Sequence, residues 1–241
     1  MIFAAGLGTR FKPWTDAHPK ALAIVNGKSL LQRNIEYLQQ FNITDVLVNV
    51  HHFAEQIINE LKKNNNWGSK ITISDETNIV LETGGGLKKA SWFFNDEKPF
   101  AVINADILTD LDLHEMILFH KKNNPLSTLA TTNRETSRYF LFDNNNNLCG
   151  WRNVKTNEEK GFVLKFSEEE KKEVAQKAFS GIHIIDPKIF PLITQEGKFS
   201  IVDVYLQLSP TEIIKSFDHS NTKLVDVGKP ESLIIAEKLF P

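Results

Sequence analysis

A chain of 241 residues with 41% hydrophobic and 24% charged residues has an ordinary globular composition, and its length suits one large domain or two small ones. The formal net charge of −2 gives no general attraction to nucleic acid or to an anionic membrane, so any phosphate ligand has to be held by local groups. The longest apolar runs, such as PFAVI and LVDVG, fall far short of the roughly 20 residues that span a bilayer, and with no charged segment leading into a long apolar core the chain reads as cytoplasmic. One cysteine, Cys149, excludes an intrachain disulfide and reads as a plain thiol in a strand or hairpin.

MIFAA reads as a strand, and Leu31, Ile35 and Leu38 recur at helical spacing. DVLVNV follows as a strand, then a helix marked by Ala54, Ile57, Ile58 and Leu61. ITISD, GGLKKASWFF and FAVINAD repeat strand, helix, strand, which predicts a mostly parallel sheet between helical layers. Leu113 to Asn123 reads as a helix, ended by Asn-Pro. The pattern then changes to short strands, STLATT, YFLFD and LCGWRNV, the last two joined by a hairpin turn at Asn144 to Asn147. Arg152 to Lys177 is charged, exposed and partly helical around SEEEKKEVAQK. AFSGIHIID returns to buried strand, Pro187 to Ile193 to a short helix, and KLVDVG to a strand. A last helix starts near Pro230 with an apolar face of Leu233, Ile234 and Leu239.

The loop AAGLGTRFKP, residues 4–13, breaks the first strand at Gly6. It lacks the third glycine of a dinucleotide fingerprint and the spacing of a P-loop. It offers backbone amides, the Thr9 hydroxyl and the Arg10 guanidinium, with Lys12 and Lys20 further on. By itself this leaves two readings open, a phosphate cradle and a tight structural turn.

Six stretches in order carry a family resemblance: GLGTR, HPKAL (18–22), LETGGG (81–86), INADIL (103–108), FSGI (179–182) and VDVG (225–228). With them the chain resembles the sugar-1-phosphate nucleotidyltransferases, or nucleoside diphosphate sugar pyrophosphorylases. The spellings LETGGG and FSGI look closest to the N-acetylmuramate-1-phosphate uridylyltransferase and mannoheptose-1-phosphate guanylyltransferase branch. The resemblance implies a Rossmann-like α/β three-layer sandwich with a mostly parallel mixed sheet, without the β-helix domain that many relatives carry. It implies a single domain, with residues 1–125 as a nucleotide-binding half and 126–241 as a sugar-phosphate-binding half, in a monomer or weak homodimer. Relatives usually have one or two residues before the equivalent of Met1, so the first strand is expected to be short. VLKFSEEE stands where many relatives have a Glu-Lys-Pro sequence that helps to hold the sugar phosphate.

The implied reaction joins a nucleoside triphosphate, UTP or GTP, to a sugar-1-phosphate with release of pyrophosphate, and LETGGG leans toward UTP. In-line positioning and charge neutralisation are what such a transfer demands. By resemblance Ala5, Gly6, Gly8, Thr9 and Arg10 bind the triphosphate, and Lys20 meets the α-phosphate. Asp106 and Asp226 would hold Mg²⁺, which is commonly bound by one or two carboxylates plus phosphate oxygens and water. Arg10, Lys20 and Asp106 form the catalytic set; Asp110 and Asp112 read as cap or turn residues.

Glu82, Gly84 and Gly85 would read the base, the glycines leaving amides free at a helix N-terminus. Asn104, Asn153, Lys165 and Gly181 are the candidates for the sugar phosphate. His51 and His52 are structural, since adjacent side chains diverge in a strand and no third ligand is spaced to join them. Trp14, Trp67, Trp92 and Trp151 lack a basic stripe and read as packing or pocket walls, not as a nucleic-acid platform. Two alternatives differ in function: a non-catalytic nucleotide-sugar-binding regulator, and a cytidylyltransferase for an alcohol phosphate such as choline phosphate.

Overall fold

The computed structural model describes residues 1–241. Its central sheet is parallel through Lys70–Asp75, Asp45–Val50, Ile2–Phe3 and Phe100–Asn104, in that spatial order. Parallel neighbours need long crossovers, and the helices Leu30–Gln39, Ala54–Lys63 and Glu82–Lys89 supply them. The strand Ala175–Ile185 then enters antiparallel to Phe100–Asn104 and begins the mixed half. Ser127–Thr132 pairs with its C-terminal part and with Ile214–Asp218, while Arg138–Phe142, Leu148–Asn153 and Glu158–Lys160 extend the sheet from its N-terminal part. The result is a Rossmann-like α/β sandwich with a mixed sheet and a parallel core.

Alternation along the strands sets the layers. Ile2, Val46, Val48 and Ile103 face one apolar core with the helix residues Leu31, Ile35 and Ile57. Phe3, Leu47 and Val102 face the opposite core with Leu87, Val204 and Tyr205. The cores hold 22 and 21 buried residues, so both faces are covered to the same extent.

Helix Leu30–Gln39 starts at Ser29, whose hydroxyl accepts from the Gln32 amide at 3.0 Å. It also fixes the chain beyond the central strand: Asn34 Nδ2 donates to the Ala105 carbonyl at 3.0 Å and Tyr37 Oη to the Leu111 carbonyl at 2.6 Å. At Gly181 (φ 75°) the strand Ala175–Ile185 shifts register, and a Cβ there would lie 2.7 Å from Asn104 Nδ2.

Several expectations are corrected. Leu224–Asp226, read only as a strand, pairs with Ile107–Thr109 in a two-stranded ribbon apart from the main sheet. SEEEKKEVAQK forms only the short helix Glu168–Lys172, closed at its start by a Ser167–Glu170 capping box, and Ala175 already belongs to a strand. In the last helix, Ser232–Leu239, Ile234 is 73% exposed; Ala236, Leu233 and Leu239 make the buried face. Helix Ile201–Leu208 and strand Ile214–Asp218 are additional to the expected elements. No helix is long and apolar enough to cross a membrane.

Three buried histidines are held neutral mainly by burial. His183, bonded through Nδ1 to Tyr205 Oη at 2.8 Å, is lowered to about 3. His120, beside Thr128 Oγ1 at 2.9 Å, and His219, between Ser180 and Thr222, are lowered to about 4. The unfolded chain protonates these rings near pH 6.5 and the folded chain does not. Each therefore removes up to about 1.4 kcal/mol per pH unit as pH falls below roughly 6.5. Glu76 and Asp226, whose pKa values are raised, offset part of this loss. Urea unfolding should accordingly show lower stability near pH 5 than near pH 7; equal or higher stability at the acid pH contradicts the assignment.

Candidate functional site

The loop after the first strand is locked at Gly8. That residue is left-handed (φ 61°), and a Cβ on it would lie 2.8 Å from Thr15 Cγ2. The Phe11 amide and the Thr15 hydroxyl donate to its carbonyl at 2.8 and 2.9 Å. With the carbonyl turned into the chain, the amides of Gly6 to Arg10 are left without any protein acceptor. Consecutive free amides in a tight turn form an anion-binding concavity.

This loop forms one wall of a cavity of about 480 Å³. Ala5, Gly6, Gly8, Thr9, Arg10, Lys20 and Glu82 line it, together with Asn49, Glu76, Thr83, Lys198 and Gly228. An adjoining cavity of about 190 Å³ shares Gly6, Lys20 and Thr83 and adds Asn104 and Asp106.

Charge is concentrated where the two cavities meet. Lys20 Nζ pairs with Asp106 Oδ2. The Val227 amide donates to the Asp106 carbonyl at 2.8 Å, which brings the ribbon carrying Asp226 alongside. A Cβ on Gly228 would lie 2.8 Å from Asp226 Oδ1 and 3.0 Å from the Arg10 guanidinium, which places both side-chain ends at that residue. Asp226 is accessible to solvent, yet the protein around it and the Asp106 charge raise its pKa, against the opposing pull of Lys20 and Arg10. No group of three or more His, Cys, Asp or Glu side chains is placed to hold a metal; Asp106 and Asp226 form a pair of carboxylates.

The floor of the larger cavity contains a buried acid that the sequence reading missed. Glu76 is only 2% exposed. Asn49 Nδ2 donates to its Oε1 at 2.9 Å, and Asn49 Oδ1 accepts from the Ala4 amide at 2.8 Å, tying three parallel strands together. Glu76 Oε2 has no protein donor. Burial raises the Glu76 pKa despite the Asn49 bond. Gly86 is required beside it, since a Cβ would lie 2.8 Å from Glu76 Oε1.

Other expected residues lie elsewhere or do something different. The Gly84 and Gly85 amides are not free: both donate to the Phe199 carbonyl, at 2.9 and 3.2 Å. Neither glycine lines the cavity; a Cβ on Gly84 would strike the Phe199 ring, and one on Gly85 the Gly197 carbonyl. Glu82 is at the cavity, with Lys198 Nζ 3.4 Å away. Asn153 closes a turn by accepting from the Lys155 amide at 3.0 Å, and Lys165 lies over the Phe162 ring; neither lines either cavity. Asp112 caps helix Leu113–Asn123, and Asp110 accepts from the Lys223 amide. His51 Nδ1 meets the Glu76 carbonyl at 2.6 Å, and Lys12 pairs with Asp16 at the surface. Burial pushes the Cys149 thiol up to about 12, which leaves it inert.

Fold and site together define a Rossmann-like protein with a loop of free backbone amides set against paired carboxylates. The Nucleotidyl transferase family matches residues 1–240, and the chain belongs to that family. It is 30% identical over 243 residues to a mannose-1-phosphate guanyltransferase of Yarrowia lipolytica, covering all of this chain and 63% of that protein. It is 29% identical over 245 residues to a UTP–glucose-1-phosphate uridylyltransferase of Synechocystis, covering 95% of this chain and 60% of that protein. The chain thus spans about three-fifths of the length of these curated relatives. Among solved structures, HddC from Yersinia pseudotuberculosis complexed with GMP-PN superposes with a TM-score of 0.76 at 26% identity, covering 100% of this chain and 98% of that one.

The loop geometry separates two glycines that look alike in the sequence. Gly8→Ala should cost about 2 kcal/mol, from left-handed strain and the Thr15 clash. Gly6 has no atom within 4 Å of an added Cβ, so Gly6→Ala should change stability by less than about 0.5 kcal/mol. Thermal melting of the two variants tests this, and equal melting temperatures contradict it.

Proposed function

We propose that this chain joins GTP to a sugar-1-phosphate, releasing pyrophosphate and a nucleotide sugar. The observation that carries the reading is the run of free amides from Gly6 to Arg10, placed with Arg10 and Lys20 opposite Asp106 and Asp226.

The amides and Arg10 hold the triphosphate, and Arg10 remains with the departing pyrophosphate. Lys20 is within reach of both cavities and steadies negative charge on the α-phosphate as it is attacked. A phosphate oxygen of the sugar-1-phosphate forms the new bond to the α-phosphorus, and the bond from that phosphorus to the pyrophosphate oxygen breaks. No side chain acts as nucleophile, so positioning and charge neutralisation account for the rate. Asp106 and Asp226 suit Mg²⁺: two mutually repelling carboxylates, one with a raised pKa, gain from a shared divalent cation. When bound, Mg²⁺ supplies charge neutralisation for the phosphate oxygens.

The base assignment rests on Glu76. Guanine presents adjacent N–H donors at N1 and its 2-amino group to a carboxylate, whereas uracil presents one N–H between two carbonyl oxygens that a carboxylate repels. A buried Glu76 with one oxygen held by Asn49 and the other lacking a protein donor favours guanine over the UTP suggested by LETGGG. The guanyltransferase relative and the GMP-PN complex of HddC support this choice.

With Mg²⁺ and mannose-1-phosphate, glucose-1-phosphate or N-acetylmuramate-1-phosphate, the purified chain should release pyrophosphate from GTP faster than from UTP. Absence of release with every sugar phosphate, under conditions where a known relative turns over, refutes the activity. Asp106→Ala and Asp226→Ala should lower turnover by about 100-fold or more while keeping the fold; wild-type rates in both remove their assigned role. Glu76→Gln should lower kcat/KM for GTP by about 10- to 100-fold and narrow the GTP/UTP ratio. Because the carboxylate form accepts the guanine N–H groups, the GTP preference should fall with decreasing pH through the raised Glu76 pKa. An unchanged ratio in Glu76→Gln contradicts the base assignment.

A further inference from the structure

A separate cavity of about 290 Å³ shares no lining residue with the two cavities of the candidate site. One wall is helix Leu30–Gln39, with Arg33 and Asn34, and Lys28 just before it. The other is the strand Ile107–Thr109 and Asp110, with Leu108 facing the cavity and the Phe240 side of the chain completing it. The proposed transfer makes no use of this cavity.

Its polar groups are only partly satisfied by the protein. Asn34 is 2% exposed, and its Nδ2 donates to the carbonyls of Leu30 and Ala105 at 2.9 and 3.0 Å. Two carbonyl acceptors fix which end of the amide is nitrogen, so the other end is Oδ1. That oxygen accepts from no protein donor, yet it is not sealed from solvent. An open, unpaired acceptor on an otherwise buried side chain calls for a donor on whatever enters the cavity.

Arg33 is the complementary donor. Its Nε and Nη2 donate to the Val25 carbonyl at 3.0 and 2.8 Å, which leaves Nη1 without an acceptor. It forms no ion pair. Glu36, one helical turn further along, is already held by Lys28 and Gln32 at 2.6 and 2.8 Å. A guanidinium anchored by its backbone bonds keeps a donor edge that matches the oxygens of an oxyanion, and Lys28 adds a second cation. Asp110 spends Oδ1 on the Lys223 amide and keeps Oδ2 unpaired.

Two cations beside unpaired acceptor oxygens fit a ligand that is anionic and also carries hydroxyl donors. Leu108 and Phe240 suit its C–H faces, and the volume suits a molecule of about monosaccharide size. We propose that this cavity binds a sugar phosphate, with Arg33 and Lys28 on the phosphate and Asn34 Oδ1 and Asp110 on hydroxyl groups. The assignment does not depend on the proposed nucleotidyl transfer, because it uses none of the residues given to that reaction. It places a second ligand against Asn34, the side chain that holds the Ala105 carbonyl next to Asp106.

The test is calorimetric titration of the full chain with mannose-6-phosphate, glucose-6-phosphate, inorganic phosphate and mannose. A 6-phosphate carries its phosphate away from the anomeric carbon and is therefore not a substrate of the proposed transfer. The better-bound of the two sugar phosphates should bind at least about tenfold more tightly than inorganic phosphate or mannose, since it alone uses both sets of groups. Arg33→Gln should weaken it by about 10- to 30-fold, and Lys28→Gln, at an exposed position, by about threefold. Arg10→Gln, altered in the anion loop, should bind it as the unmodified chain does while losing affinity for GTP.

Failure of the unmodified chain to bind either sugar phosphate overturns the inference, as does wild-type affinity in both Arg33→Gln and Lys28→Gln. Inorganic phosphate bound as tightly as the sugar phosphates overturns it too. An equal loss in Arg10→Gln and Arg33→Gln puts the probe at the anion loop and has the same consequence. If the sugar phosphate binds through Arg33 and no pyrophosphate is ever released, this assignment stands and the proposed reaction fails.

Discussion

Two carboxylates held near each other at a protein surface repel, and the site depends on how that repulsion is contained. Asp106 is paired with Lys20, and Asp226 lies in the fields of Lys20, Arg10 and Arg134. The proximity is enforced by backbone: the Val227 amide bonds to the Asp106 carbonyl, while Asn34 and Tyr37 grip the chain on either side at Ala105 and Leu111. Helix Leu30–Gln39 thus supplies apolar packing on one side and fixes an acid on the other. An arrangement of this kind raises the Asp226 pKa, and shifted carboxylates of this sort cluster at functional sites.

The same backbone control explains the glycines. Gly8 makes a left-handed turn that aims amides outward, and the guanidinium of Arg10 and the Asp226 carboxylate both lie against Gly228. Gly84 and Gly85 serve packing against the segment Gly197–Phe199, which brings Lys198 over the cavity beside Glu82. Residues from both halves of the chain therefore build the larger cavity, with Lys198 and Gly228 facing the loop from the first strand.

The alternating strand and helix pattern made the parallel core legible in the sequence, because strands buried on both faces are near-continuous apolar runs. Arg10, Lys20, Asp106 and Asp226 could be singled out because each sits in a distinctive short stretch. Glu76 and Asn49 could not: an acid after ITISD and an asparagine in DVLVNV look like ordinary strand-end polarity until the fold shows that Glu76 is buried and that they bond to each other. The Gly84 and Gly85 amides look free in the sequence because their partner, the Phe199 carbonyl, comes from a distant part of the chain. Asn153 and Lys165 line neither cavity, and the charged region carries no periodicity that says which way its side chains face. Ile201–Leu208 is a short apolar run with four β-branched or aromatic residues, for which local pattern cannot separate helix from strand.

In the proposed reaction a triphosphate accompanied by a divalent cation would join the anion loop to the paired acids, and that coupling can be measured directly. Titration of a non-hydrolysable GTP analogue, with and without Mg²⁺, into the unmodified chain and Asp226→Asn gives the relevant affinities. Mg²⁺ should tighten binding by about tenfold or more in the unmodified chain and much less in the variant. An affinity indifferent to Mg²⁺, or an equal Mg²⁺ effect in both proteins, would show that the carboxylates and the anion loop do not act as one site.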